Sequence, residues 1–322
     1  MSTKTRRPTD EIANRIAGGY DYLREKFAVF EGDRLGQTGL LILCTFVFIG
    51  IFARPIAVDV LNYTITVQPF SLAPHDPGEI NRAADNSALR LEGPSTTHPL
   101  GTTNMGRDVL SQLLVGTRVT LIVGSIAAFM AVFIGTNVGL ISAYFGGWID
   151  DVLMRITDIV YGVPFLPFAI VLVAILGSSI VNIIIAIVLI LWRSTARVIR
   201  SQVLSHKQRP YVESAQAIGA GHGRIMYRHI LPNVLPLAFL YAAFAVGWAV
   251  IAEASLAFLG FGDPNMLSWG EMIYEVYNAD AIRQAWWWVF PPGICIMLFV
   301  MSVFFIGRTL EKVVSPELRH QE

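Results

Sequence analysis

Apolar residues along this chain are gathered into long blocks separated by polar segments, and the length of those blocks is the first signal. An α-helix needs about 20 apolar residues to cross a hydrocarbon layer about 30 Å thick. Blocks of that kind predict spans at 36–53, 119–144, 234–258 and 285–306. Between 144 and 234 lies an uncharged stretch, Phe165–Trp192, which reads either as one long tilted helix or as two helices hinged at Gly177, Ser178 and Ser179. Near the N-terminus, Ile12, Ile16, Leu23, Phe27 and Phe30 recur at helical spacing. That pattern fits an amphipathic helix lying on a membrane surface, or a packed tail.

Charge decides between one helix and two. Segment 193–232 carries Arg193, Arg197, Arg200, Lys207, Arg209, Arg224 and Arg228 against the single acid Glu213. The positive-inside rule therefore places it in the cytoplasm. With the N-terminal tail also inside, one span through 165–192 would leave this basic segment outside, whereas two spans keep it inside. The consistent topology has six helices and both termini cytoplasmic, with 54–111 and 260–288 external. The second external segment agrees, since it holds Asp263, Glu271, Glu275 and Asp280 against Arg283 alone.

Composition supports this reading. Of 322 residues, 54% are hydrophobic and 15% charged, and the mean hydropathy is +0.54, values of polytopic membrane proteins rather than soluble enzymes. Net charge is zero, so nothing draws the chain toward nucleic acid. Cys44 and Cys295 both fall in apolar blocks, which supports neither a disulfide framework nor a metal cluster. Leu43 stands where a lipidation site before Cys44 would need a small residue. About 35 polar residues precede the first apolar block, so no cleavable signal is expected.

Two glycine-rich stretches imitate nucleotide loops without their chemistry. Gly101–Asp108 has phosphate-loop spacing, but Arg107 and Asp108 replace the Lys and Ser or Thr that contact phosphate and magnesium. Gly219–Gly223 follows no strand and is not a dinucleotide fingerprint. No HExxH zinc site or GxSxG nucleophile appears, so neither catalytic residues nor metal ligands are assigned.

The stretch "YVESAQAIGAGHGRIMYRHILPN", Tyr211–Asn233, is basic and broken by glycines between two apolar blocks. Pro210 suits a first helical turn. The pattern predicts two short helices joined by a glycine turn at 219–223, the second ending before Pro232. Such a rigid protrusion under the membrane fits a groove on a cytoplasmic partner.

Glu213-Ser214-Ala215, then Gly219, then Ile230-Leu231-Pro232 resembles the EAA loop of binding-protein-dependent ABC importer permeases, with Ser214 in place of the first alanine. Further stretches, His98–Gly124, Tyr144–Val160, Ala252–Gly262, Ser268–Ile273 and Ser315–Arg319, are similar to the C-type permease subunit of dipeptide, oligopeptide and nickel importers. The likeness runs from 98 to 319; the first 35 residues and an external insert at 56–97 fall outside it.

The resemblance implies an all-α, polytopic protein of the type I ABC importer permease fold. Its parts would be a cytoplasmic tail at 1–35, a first transmembrane helix at 36–53, an external loop at 54–111, a permease core at 112–306 containing a coupling loop at 205–232, and a cytoplasmic tail at 307–322. It implies no cofactor in this chain, with ATP and magnesium bound by partner ATPase subunits. The implied partners are a homologous permease, two such ATPases, an extracytoplasmic substrate-binding protein and membrane lipid. Glu213, Ala215 and Gly219 match the motif positions and, with Ser214 in the place of the first alanine and Pro232 after the loop, are expected to couple to an ATPase. Arg224 and Arg228 either pair with acidic residues there or simply satisfy the positive-inside rule. The implied cargo is a dipeptide or oligopeptide, with nickel, an oligosaccharide or another solute as alternatives.

Other polar residues carry two readings each. Glu253 lies inside an apolar block, where an ionisable group is a functional candidate by default; near the outer end it would otherwise snorkel or bond a neighbouring helix. Asp158 would face the cytoplasmic opening of a translocation path or an interface. Trp286, Trp287 and Trp288 read as an interfacial belt. His222 and His229 read as loop residues rather than metal ligands. An ion-coupled secondary transporter would need paired intramembrane charges, for which only Glu253 and Asp158 are available.

Overall fold

The computed structural model describes residues 32–54, 57–60, 63–66 and 70–314, with 57–60, 63–66 and 313–314 as backbone only. The expected amphipathic tail helix and the Ser315–Arg319 motif lie outside the described residues. Helix α1 (Arg34–Phe52) starts at Asp33, whose carboxylate caps the Leu35 N–H at 3.1 Å. A short antiparallel hairpin follows in the outer loop, β1 (Ala57–Val60) on β2 (Tyr63–Thr66), with Ala57 opposite Thr66. Turns then lead to α2 (Val109–Phe145), which begins before the expected 119. Asp108 caps it, and its first polar residues Ser111, Gln112 and Thr117 are buried instead of lying in a loop.

The segment from 147 to 207 corrects the simple picture of paired spans. Helix α3 (Gly147–Gly162) meets α4 (Phe165–Leu176) at a bend of 91°, where Val163 and Pro164 are both extended. The residue before a proline is pushed out of helical conformation, which makes this break. With 12 residues, α4 is about 18 Å long and too short to cross alone. Among the described residues, five helices are each long and apolar enough to span a bilayer, and the bent α3–α4 pair makes six when it is counted as one broken span. The hinge expected at 177–179 is present. Gly177 ends α4 at φ 93°, and Ser179 caps α5 (Ile180–Lys207), which continues well past Trp192.

Beyond α6 (Pro210–Ala217) comes α7 (His222–Phe261), unbroken as far as Gly260. The helix does not stop before Pro232. A widened π turn at Ile225–Ile230 precedes the proline, so its missing N–H falls where the hydrogen-bond ladder is already out of step. At the outer end a second π turn, Ala257–Phe261, reverses at Gly260 with φ 84°. Helices α8 (Trp269–Asn278) and α9 (Trp286–Val314) complete the described fold.

Contacts between ends establish which termini share a face. At the start of α1, Asp33 accepts a hydrogen bond from Thr309 and pairs with Lys312 of α9. The C-terminal end of α2 meets Lys207 and His222 through Ala143 and Tyr144. Both described chain ends therefore stand on the side of the basic segment 193–232 if each span is crossed once, as the charge pattern requires.

Close helix approach holds the centre together. On α2, Gly135 and Gly139 lie one turn apart against the backbone of α5. A Cβ at either position would strike the Trp192 or Ala196 carbonyl oxygen. The tryptophan belt expected at 286–288 is only partly formed. Trp286 is 55% exposed, but the Trp287 indole N–H donates to the Thr102 carbonyl at 3.3 Å, and Trp288 is fully buried in the outer core with Trp269, Met272 and Phe299.

Candidate functional site

The basic protrusion is built as a helix, a reversal and a second helix. Arg209 is extended and Pro210 opens α6, as its fixed φ favours. Three residues apart, Val212 and Ala215 fall on one face and are buried with Ile225, Met226 and Ile230 against Leu140, Ala143, Ile199 and Val203. Ala215, a motif residue, therefore holds the protrusion to α2 and α5. Glu213 and Ser214 point outward.

The reversal after α6 is a Schellman closure. The Ala220 N–H donates to the Ala215 carbonyl at 3.0 Å and the Gly219 N–H to the Gln216 carbonyl at 2.9 Å. Gly219 takes φ 78° there, the left-handed conformation this closure needs. A Cβ at Gly219 would meet nothing within 4 Å, so backbone conformation alone demands glycine. The same reversal swings Ile218 off the buried face, leaving it 85% exposed at the tip.

Side-chain bonds fix the protrusion to the helix ends above it. The Tyr144 hydroxyl lies 2.8 Å from His222 Nδ1, and the Tyr227 hydroxyl donates to Asn137 Oδ1 at 2.8 Å. Asn233 donates to the His229 carbonyl at 2.6 Å. Arg224, Arg228 and Pro232 are exposed, and neither arginine has an ion-pair partner among the described residues. Sequence reasoning missed Ile218, because in an uninterrupted helix the spacing from Val212 and Ala215 would bury it. It missed the Tyr144–His222 anchor because the partners are far apart in the chain.

A second feature is a hollow between α5 and α7. A cavity of about 290 Å³ is lined by Tyr161, Phe165, Arg193, Ser194, Trp248 and Ala252 among others, and one of about 260 Å³ shares Leu191, Ser194 and Trp248 with it. Arg193 and Arg197 lie over the Tyr161 ring at 4.8 and 4.0 Å. Asp158 joins this border through a 2.6 Å ion pair with Arg197. Deeper toward the basic face, Arg200 grips Asp150 through two hydrogen bonds, at 2.7 and 2.6 Å, and ties α3 to α5.

Glu253 does not snorkel and does not line this hollow. It is 4% exposed, with Oε2 buried and lacking a hydrogen-bond partner. The reason is α8, which lies so close to α7 that a Cβ at Gly270 would strike Ala254.

External to the spans, Glu271 and Glu275 of α8 line a cavity of about 180 Å³ with Arg107 and Gln112. Burial pushes the Glu271 carboxyl up to about 7 from 4.5, and the charges of Glu275, Glu253 and Asp263 act in the same direction. Burial also raises Glu275, while Arg107 pulls it back. A carboxyl whose folded value is raised favours the fold fully below about 4.5, and that contribution is lost as the pH rises through about 7. Glu271→Gln is therefore expected to raise the unfolding temperature at pH 8 and to change it little at pH 5. Thermal unfolding of the detergent-purified protein at the two pH values tests this, and equal shifts at both would refute it.

Comparison with known proteins follows the same outline. Residues 135–319 match the family described as binding-protein-dependent transport system inner membrane component. The chain is 35% identical over 297 residues to the dipeptide transport system permease protein DppC of Alkalihalophilus pseudofirmus, covering 92% of this chain and 90% of that protein. It is 36% identical over 229 residues to the glutathione transport system permease protein GsiD of Pectobacterium atrosepticum, covering 71% and 75%. Among solved structures, the inward-facing MetNI methionine ABC transporter aligns with a TM-score of 0.50 at 18% identity, over 63% of this chain and 94% of that chain, a likeness of fold.

Proposed function

Because this chain belongs to the family of binding-protein-dependent transport system inner membrane components, it is a multi-pass plasma-membrane permease of an ABC importer and not an ATPase, and we propose that it carries short peptides. The relatives named for dipeptide and glutathione transport favour that cargo class over nickel or an oligosaccharide. The chain pairs with a homologous permease, two ATPase subunits that bind ATP and magnesium, and an external binding protein that delivers the peptide.

The observation that carries the coupling role is the protrusion at 205–232, in which a rigid, doubly anchored base presents an exposed tip. Ile218 supplies an apolar knob, with Glu213 and Ser214 beside it and Arg224 and Arg228 on the following turn, while Ala215, Gly219 and Pro232 keep the shape. An ATPase groove receives this tip, and closure of the ATPases rocks α2, α5 and α7 as a body, opening the hollow beside Tyr161, Ser194 and Trp248 to alternate sides. Asp158 belongs to the rim of that path; Glu253, buried beneath α8, supports its outer wall.

The test is ATP hydrolysis by the complex copurified with this chain, reconstituted in lipid with its binding protein. Peptide-loaded binding protein is expected to raise hydrolysis several-fold over the unloaded form. Stimulation by a non-peptide solute only would replace the cargo. Solute uptake driven by an ion gradient, without copurifying ATPases, would overturn the coupling assignment.

A further inference from the structure

The outer loop gathers three side chains that the transport reading does not use. His75, His98 and Asp108 each bring a donor atom within 4.8 Å of the others. Asp108 is fully buried at the start of α2, where Oδ2 accepts the Ser111 N–H at 2.8 Å and the Ser111 hydroxyl at 2.6 Å. Its Oδ1 lies 2.9 Å from His98 Nδ1. The two imidazoles stand against each other with centroids 4.7 Å apart.

Protons alone do not satisfy this cluster. The His98 N–H occupies Oδ1, while His75 Nδ1 sits 3.8 Å from Oδ2, beyond hydrogen-bond reach, buried and without a partner. A buried polar nitrogen left unmade costs about 1–3 kcal/mol. A divalent ion removes that difficulty, since neutral imidazole nitrogens and a carboxylate oxygen are its natural donors.

We propose that His75, His98 and Asp108 form a site for a divalent transition-metal ion of the zinc class, which clips the outer loop to the head of α2. Bonds of about 2.0–2.1 Å to such an ion place neighbouring donors about 3.0–3.4 Å apart. His98 and Asp108 are already near that spacing, and His75 has only a short distance to close. On binding, the His98 ring proton moves from Nδ1 to Nε2, so both imidazoles coordinate as neutral ligands. The remaining positions take water, since three protein ligands leave the shell open.

The frame of the site stands without the ion. The His75 backbone N–H donates to Ser111 Oγ at 3.0 Å, and the Gln112 side-chain amide donates to the Pro77 carbonyl at 3.3 Å. Metal therefore tightens a loop already docked on α2. The site lies in the external loop and helix start, apart from the hollow between α5 and α7, and is independent of the cargo.

The experiment uses the full-length chain in its purified complex, stripped with chelator and returned to micromolar free Zn2+. Elemental analysis is expected to find one zinc per chain of this subunit beyond the amount held by a complex carrying His75→Gln. That variant removes the partly exposed ligand and leaves the His98–Asp108 bond in place, and its zinc affinity is expected to fall about tenfold or more. Co2+ in place of Zn2+ is expected to give ligand-field absorption in the wild-type complex and not in the variant. Zinc is further expected to raise the unfolding midpoint of the wild-type complex alone. Equal zinc content and cobalt spectra in the two complexes would overturn the proposal, whether or not the transporter is active.

Discussion

Gly219→Val is expected to uncouple cargo from ATP hydrolysis in the assembled transporter, while Gly219→Asn keeps most of the coupling. The turn at Gly219 runs at φ 78° and closes α6 through the Ala215 and Gln216 carbonyls. A left-handed conformation costs an ordinary residue about 1–2 kcal/mol, and for a β-branched residue it is a genuine outlier. One or two kcal/mol changes a population by a factor of about 5–30, enough to unseat Ile218 and Glu213 from their places at the tip. Asparagine tolerates the same backbone. No neighbour stands within 4 Å of the added Cβ, so the contrast between the variants isolates conformation from collision. Peptide-stimulated ATP hydrolysis reads the result. Wild-type stimulation in the valine variant would remove the turn from the coupling mechanism.

Arg118→Met is expected to cost about 3 kcal/mol of stability, the scale of hydrogen bonds to a charged group. From α2 its guanidinium reaches the C-terminal end of α1, donating to the carbonyls of Gly50 at 3.0 Å, Ile51 at 3.1 Å and Arg54 at 2.7 Å. Those are carbonyls a helix end leaves unmatched, and the positive charge also favours that pole. Gly50 is buried, whereas Ile51 and Arg54 are exposed, so water replaces part of what is lost. Arg118→Lys keeps the charge but not the fork of donors and is expected to fall between the two. Unfolding temperature in detergent, with the complex intact, measures the series. An unchanged temperature in the methionine variant would show that α1 is held by its packing on α9 alone.

Much of the architecture was legible in one dimension. The length of the apolar blocks marks the long helices, and the Lys and Arg between 193 and 232 require an even number of crossings before them. The hinge at Gly177–Ser179 followed from that requirement. The glycine turn at 219 was readable because a left-handed residue after a helix is a local event with a local signature. The bend at Val163–Pro164 had its signal in the proline but not its size, since whether a proline kinks or ends a helix depends on what the broken ends pack against.

What the sequence determined by itself was span content, orientation and the place of the protrusion, since hydrophobic length and charge act on each segment separately. Tertiary structure decided which faces meet. It buried Ala215 while exposing Ile218, covered Glu253 with α8, and drew Trp288 into the core while leaving Trp286 outside. It also brought His75 to His98 and Asp108 across an outer loop that offers no periodic pattern. Those outcomes depend on contacts between residues distant in the chain, where the identity of a side chain does not say what will lie opposite it.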